Sequence, residues 1–260
     1  MTWALKRQIF YISILVVFFA GAGFLIARPY FNKPPTCTDG KQNGTELGVD
    51  CDGSCVKACL NQVDEVSVLW SRAFKIVPGR YNVVAYLLNH NENTGARKVG
   101  YRFRFADKDN VYIGKREGTT LIPPSGNFAV FEPGVDVGNS IPVYVTFEFT
   151  TAPVWEIIDQ EKIDQIKVLV SNISLTGEEN IPKLSATVRN KSLFTIPGVS
   201  LVTILYDADH NAVSTSRTYL EVLKPEESLD VNFTWREPFT GKVVAKEIIP
   251  MFSIFNAELK

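Results

Sequence analysis

The sequence predicts a mainly β protein: an N-terminal transmembrane helix, a small disulfide-rich segment, and two tandem immunoglobulin-like antiparallel β-sandwiches. Three observations carry this prediction. A charge-free apolar run lies near the N-terminus. Four cysteines crowd into the segment after it. Beyond them, short β runs and turn signals follow one order and then repeat it. The expected elements are 1–8 (cytoplasmic N-terminus), 9–27 (transmembrane helix), 28–62 (linker and cysteine-rich stalk), 63–153 (first sandwich), 154–166 (linker) and 167–260 (second sandwich).

The run Ile9 to Ala27, IFYISILVVFFAGAGFLIA, carries no charge. At 1.5 Å per residue it matches a hydrocarbon core of roughly 30 Å. Lys6 and Arg7 precede it, and Arg28 and Lys33 follow, so flanking charge alone leaves orientation near a tie. Trp3, Tyr11, Tyr30 and Phe31 fit the two membrane interfaces. A cleaved signal peptide is the competing reading, with Ala20-Gly21-Ala22 as the small-residue site. Against it, the run continues past that site through Phe24, Leu25 and Ile26.

The cysteines follow as C-x13-C-x3-C-x3-C: Cys37, Cys51, Cys55 and Cys59. The segment is too short and polar to bury a core, so it needs crosslinks. Two disulfides in one of three connectivities are expected. A four-thiolate zinc site is the alternative, but the paired C-x2-C knuckles typical of zinc ribbons are missing. Disulfides persist outside the cytosol. The cysteines therefore settle the orientation: cell membrane, single pass, N-terminus inside and C-terminal domains outside. Asp39, Asn43, Glu46, Asp50 and Asp52 alternate with glycines, as hard oxygen ligands do in calcium loops. The EF-hand spacing is not met, and the same residues also suit a turn-rich loop that caps its own backbone.

The string C-x-D-G-x-x-N-G-x-E-x-G-V-D-C-x-G-x-C resembles a short cysteine motif of prokaryotic surface proteins. Asp52 stands after the second cysteine where that motif usually has glycine. The resemblance implies an exported, disulfide-bonded spacer and brings no chemistry with it.

From Val66 onward the chain reads as strands separated by turns. Tyr81 to Leu88 leads to the turn NHNENTG. Val99 to Phe105 alternates and ends at Asp107-Lys108-Asp109-Asn110. Val111 to Ile113, Phe128 to Phe131 and Val143 to Phe149 follow. The order recurs as Leu184 to Val188, Val199 to Tyr206, a restart at Val213, and Leu229 to Trp235. Asn89 aligns with Asn190, Asp107 with Asp207, Pro124 with Pro225 and Phe131 with Phe233, so two copies of one β unit are expected. Regular strand spacing without helical periodicity indicates sandwiches of immunoglobulin type, here without the hallmark cysteine pair. Phe103, Phe105, Leu201, Thr203 and Leu205 are expected to face inward. Trp70, Trp155 and Trp235 are expected as core or interdomain anchors. Val154 to Ile166 reads as a structured linker, either a short helix or a strand and turn.

Leu205-Tyr206-Asp207, within N-x-S … L-Y-D-x-x-x-x-V … L-x-P-x-E, resembles the FxLYD-type β-sandwich domain of bacterial envelope proteins. Thr203 stands at the first motif position, where that family has Phe. The likeness covers 182–235 and is weaker over 81–131. It implies an extracytoplasmic sandwich with no catalytic residues to transfer.

No G-x-S-x-G, H-E-x-x-H, P-loop or G-x-G-x-x-G is present. His90 and His210 fall in different turns, and Asp107/Asp109 and Asp207/Asp209 recur at one hairpin as turn formers. Asn43, Asn172, Asn190 and Asn232 begin N-x-[ST] sequons. Net charge is -1, which gives no footprint for nucleic acid. The expectation is a membrane-anchored binding or scaffold protein that is not an enzyme. No cofactor is expected beyond a possible calcium ion. The expected partners are the membrane, through 9–27, and other envelope or surface proteins, with no small-molecule substrate. A calcium-dependent sensor or accessory subunit is the alternative.

Overall fold

The computed structural model describes residues 3–31 and 36–259. Helix α1 spans Trp3–Phe31, longer than the expected 9–27. Its stretch Leu5–Ile26 has a mean hydropathy of 2.5 and is long and apolar enough to cross a membrane. The interface candidates Tyr30 and Phe31, and the flanking Arg28 and Lys33, lie outside the described side chains.

Strands fill residues 67–259. The first repeat contains β1 (Ser67–Val77), β2 (Arg80–Asn89), β3 (Thr94–Ala106), β4 (Tyr112–Ile122), β5 (Gly126–Asp136), β6 (Tyr144–Phe149) and β7 (Glu156–Ile157). The second contains β8 (Val168–Thr176), β9 (Lys183–Asn190), β10 (Phe194–Tyr206), β11 (Ala212–Leu223), β12 (Ser228–Thr234), β13 (Ala245–Met251) and β14 (Glu258–Leu259). In the first repeat β1–β2–β5 faces β4–β3–β6, with β7 paired to the start of β3. In the second, β8–β9–β12 faces β11–β10–β13, with β14 paired to the start of β10. All pairings are antiparallel, and strand for strand the two repeats match.

Local chemistry explains why the turns recur. Asp107 Oδ1 accepts from the amides of Asp109 and Val111, while Asn110 takes a positive φ. Asp207 Oδ1 accepts from the amides of Asp209 and Asn211, and His210 takes the positive φ. This is the Asx turn, in which the carboxylate substitutes for a backbone acceptor. Asn89 and Asn190 are buried side chains that wire two turns together. Asn89 Nδ2 donates to the carbonyls of Thr94 and Pro123. Asn190 Nδ2 donates to those of Phe194, Leu223 and Lys224. A buried carbonyl must find a donor, so one amide side chain satisfies several at once.

Phe103 and Phe105 are buried in the first core, and Leu201, Thr203 and Leu205 in the second, as the alternation requires. The aligned pair Phe131 and Phe233 is corrected by one residue. Val83 pairs with Glu132 and Leu184 with Phe233, so Glu132 holds the position of Phe233. A one-residue slip reverses the face, and Phe131 accordingly points away from its own core.

The expected linker 154–166 is also corrected. Its first part completes the first repeat: Trp155 is buried in that core, and Glu156 and Ile157 form β7. Both local readings of this stretch are realised, because helix α2 (Gln160–Gln165) follows, capped by Asp159. Val56, Lys57 and Ala58 run beside it: Ile157 N donates to Val56 O at 2.6 Å, and Ala58 N to Trp155 O at 3.0 Å.

The first core continues across the repeat boundary. Val202, Ile204, Ala212, Ile249 and Met251, from the outer face of β11–β10–β13, belong to the same apolar cluster as Val84 and Tyr86. Strand β10 is therefore buried on both faces. Full burial of Val202 and Ile204 contributes about 1.5–3 kcal/mol each. The cluster joins residues 56–260 into one compact unit, separate from 1–55.

Candidate functional site

The cysteine loop is built by its acidic residues as much as by sulfur. Cys37 and Cys55 are joined, and Cys51 and Cys59 are disulfide-bonded as well, so no cysteine is free. The first bridge closes a separation of 18 residues, worth about 3 kcal/mol in the chain-entropy account. Bridged sulfurs offer no thiolate, which removes the zinc alternative.

Each acidic residue considered for calcium has a structural partner, while Asn43 Oδ1 is buried without one among the described residues. Asp50 takes a positive φ, and its carboxylate accepts from the amides of Asp39 and Gly40. Asp39 accepts from the Lys41 amide and from Asn43 Nδ2. Glu46 Oε2 accepts from the Asn43 amide, and Asp52 Oδ1 from that of Gly53. Gly53 has a φ of +64° and sits where a Cβ would lie 2.0 Å from the Thr45 carbonyl, so only glycine fits. Glu46 is buried, with Oε1 3.2 Å from the bridged Cys55 Sγ. Among the described residues, the acid and sulfur groups that converge within 4.8 Å are Cys37, Glu46 and Cys55. Asp39, Asp50 and Asp52 do not join them. The loop is held by carboxylate-to-amide bonds, the capping pattern.

The junction between repeats concentrates the buried polar chemistry. Tyr86, from β2, donates to Glu247 Oε1 at 2.8 Å, and Tyr206, from β10, donates to Oε2 at 2.8 Å. Burial, reinforced by Glu247, holds both phenols well above the usual tyrosine range. Trp70 stacks on Tyr86 with ring centres 5.4 Å apart. Arg72 donates to Ala212 O, Asn82 to Thr215 O, and the Arg217 guanidinium lies 5.2 Å from the Phe131 ring centre. One carboxylate of the second repeat thus reaches the first through Tyr86 and holds Tyr206 within its own sheet.

A second polar cluster lies inside the first sandwich. Tyr101 donates to Glu132 Oε1 at 2.5 Å, and Arg116 Nε to Glu132 Oε2 at 2.9 Å. Burial and then Glu132 raise the Tyr101 phenol, and the bond to Glu132 raises Arg116. The second repeat has Leu201, Phe233 and Ser216 at these three positions. The exchange is coupled: a phenol and a carboxylate replace two apolar groups, and a guanidinium supplies the counter-charge. Gly118 makes room, since a Cβ there would lie 2.5 Å from the Tyr101 hydroxyl.

The remaining expectations separate cleanly. His90 and His210 are exposed in different turns, with His90 Nε2 2.9 Å from Ser67 Oγ. Asp207 is held below the usual carboxylate range, chiefly by the Asn211 amide. Trp70 and Trp155 anchor the first core, and Trp235 packs on the second against Phe239. Among the sequons, Asn172 and Asn232 are exposed while Asn190 is buried and fully bonded. Composition did not foretell the Glu247 bridge or the Tyr101 cluster. The burial of β10 on both faces did have a signal: the run Leu201 to Leu205, apolar but for Thr203, beside the alternating Tyr101 to Phe105. An alternating strand has one wet face, whereas a continuous one is covered twice.

No family model matches the chain, and no curated protein matches it. Among solved structures, red sea bream transglutaminase is similar over 74% of this chain and 29% of its own length, at 10% identity and a TM-score of 0.25. The chain thus spans less than a third of that protein, and a likeness so distant carries no argument.

Proposed function

We propose that this protein is a membrane-anchored, extracytoplasmic binding or scaffold protein without catalytic activity of its own. Helix α1 serves as the anchor, the crosslinked loop follows it in the chain, and the fused repeats form the head. The reading agrees with the envelope-type cysteine and FxLYD resemblances. Oxidised cysteines suit the outer side of the membrane.

The observation that carries the binding role is the unequal fate of two equivalent faces. In the second repeat, Ala212 and Ala245 flank Tyr206, and that face docks on the first repeat. In the first repeat, Tyr112 and Tyr144 flank Ala106 at the same place, 61% and 53% exposed. Exposed tyrosines, with Val111 and Val143 beside them, are the composition of a protein contact. Strand addition at sheet edges fits less well. Edge strand β8 is bulged between Ser171 and Ser174, and β4 carries Lys115, Arg116 and Glu117. Bulges and edge charges are how sheets avoid pairing.

The test is site-specific photocrosslinking in the native membrane. A photoreactive residue at Tyr112 should give a discrete adduct with a membrane or surface protein, abolished by Tyr144→Arg. The same residue at Thr187 should give none. Equal labelling at both positions, or no adduct at Tyr112, rejects the reading. Trypsin added to intact cells should also remove the head and leave a short membrane-bound stub.

A further inference from the structure

We propose that the groove between the two repeats is a binding site for a small ligand carrying a tetrahedral oxyanion, a phosphate or a sulfate group. The groove has a volume of about 420 Å³, inside the usual range for small-molecule sites. Arg97, Lys98 and Arg217 line it, and among the described residues no carboxylate does. Arg97 is already paired with Glu156 through Nε at 2.8 Å. Lys98 and Arg217 have no carboxylate within ion-pair distance among the described residues, and Arg217 is held against the Phe131 ring. The hydroxyls of Thr119 and Ser200 also line the groove and have no protein acceptor among those residues. Val202 and Met251 form an apolar wall.

The fold does not dictate this lining. At the positions of Arg97, Lys98 and Thr119, the second repeat has Pro197, Gly198 and Tyr219. The first repeat has Glu117 where the second has Arg217. A bulge between Ala96 and Val99, which the β10–β11 pairing of the second repeat lacks, makes two consecutive side chains of β3 turn outward. Bulges re-aim side chains in this way. Two cations left without counter-charge beside two free hydroxyl donors form an anion site: the cations supply the charge and the hydroxyls the directed bonds. This site is separate from the face that carries the binding role above, and each can fail alone.

The experiment is isothermal titration of the full-length protein in detergent with pyrophosphate, inorganic phosphate and sulfate as separate arms. The expected result is saturable one-site binding of at least one probe. Lys98→Gln and Arg217→Gln should each weaken it about tenfold or more, the size of one charge-assisted hydrogen bond. Lys191→Gln, an exposed lysine away from the groove, should leave it unchanged. Preference for pyrophosphate over sulfate would identify a phosphate ligand, and the reverse a sulfated one. Absence of saturable binding in all three arms overturns the proposal. So does equal weakening by Lys191→Gln, which marks general surface attraction. Should Arg217→Gln unfold the protein by losing its contact with Phe131, Lys98→Gln decides alone.

Discussion

Replacing Glu247 with Gln is the sharpest perturbation of the junction. The wild-type carboxylate accepts one phenol on each oxygen, both at 2.8 Å. Glutamine keeps the shape but has one carbonyl oxygen and one amide nitrogen, and the nitrogen cannot accept. One phenol keeps a neutral bond and the other is left with no acceptor inside an interface. Hydrogen bonds to a charged group contribute about 1.5–3 kcal/mol, against about 0.5–1.5 for neutral ones. Losing one and weakening the other should cost about 2–3 kcal/mol. For a unit of this size each kcal/mol moves the thermal midpoint by about 2–4 °C. Scanning calorimetry at pH 7 should therefore show a fall of about 4–12 °C. Tyr206→Phe in the Glu247→Gln background should cost less than Tyr206→Phe alone, because the two residues share one interaction. Glu117→Gln, at a solvent-exposed ion pair, should leave the midpoint nearly unchanged. A Glu247→Gln midpoint within about one degree of wild type would refute the claim that this bridge joins the repeats.

Further outcomes follow from the same geometry. Tyr86, Tyr101 and Tyr206 ionise later in the folded state than at the usual value of about 10, so their contribution is complete below about pH 10 and is lost as pH rises toward their folded-state values. Absorbance at 295 nm should then show three phenols that titrate only with unfolding; smooth titration of all nine in the native state would contradict this. Asn190→Ala strands two buried carbonyls and a half-buried one and should cost at least about 3 kcal/mol in urea unfolding, whereas a loss of a few tenths would show that the carbonyls find other donors. Gly118→Ala places a methyl carbon 2.5 Å from the Tyr101 hydroxyl and should lower stability, while the companion change Tyr101→Phe should restore part of it; no rescue would mean the crowding lies elsewhere. Because Asp39, Asp50 and Asp52 already accept backbone amides, millimolar calcium should leave the thermal midpoint unchanged, and a rise of several degrees would show that the loop rearranges around an ion.

Much of this architecture was legible in the residues, and the reasons are local. Asp107 and Asp207 announce their hairpins because an Asx turn needs only the residues around it. Asn89 and Asn190 aligned the repeats correctly, since each serves the same pair of turns. Alternation placed Phe103, Phe105, Leu201 and Leu205 inside without reference to any partner. What stayed hidden depends on contacts distant in sequence. The equivalence of Phe131 and Phe233 failed because register is set by the partner strand, where Val83 faces Glu132. Trp155 to Ile157 read as linker because a two-residue strand has no periodicity to detect. The Glu247 bridge joins groups 41 and 161 residues apart, and nothing local marks it. The acids of the cysteine loop were ambiguous for a different reason: one composition serves a cation or an amide, and only backbone placement distinguishes them.

The central claim is that the two repeats form one block, joined through β10 and the Glu247 bridge, and calorimetry of the full-length protein tests it most directly. A shared core requires one endotherm, with calorimetric and van't Hoff enthalpies in agreement. Two resolved transitions of comparable size, each retained when the other repeat is destabilised, would contradict it.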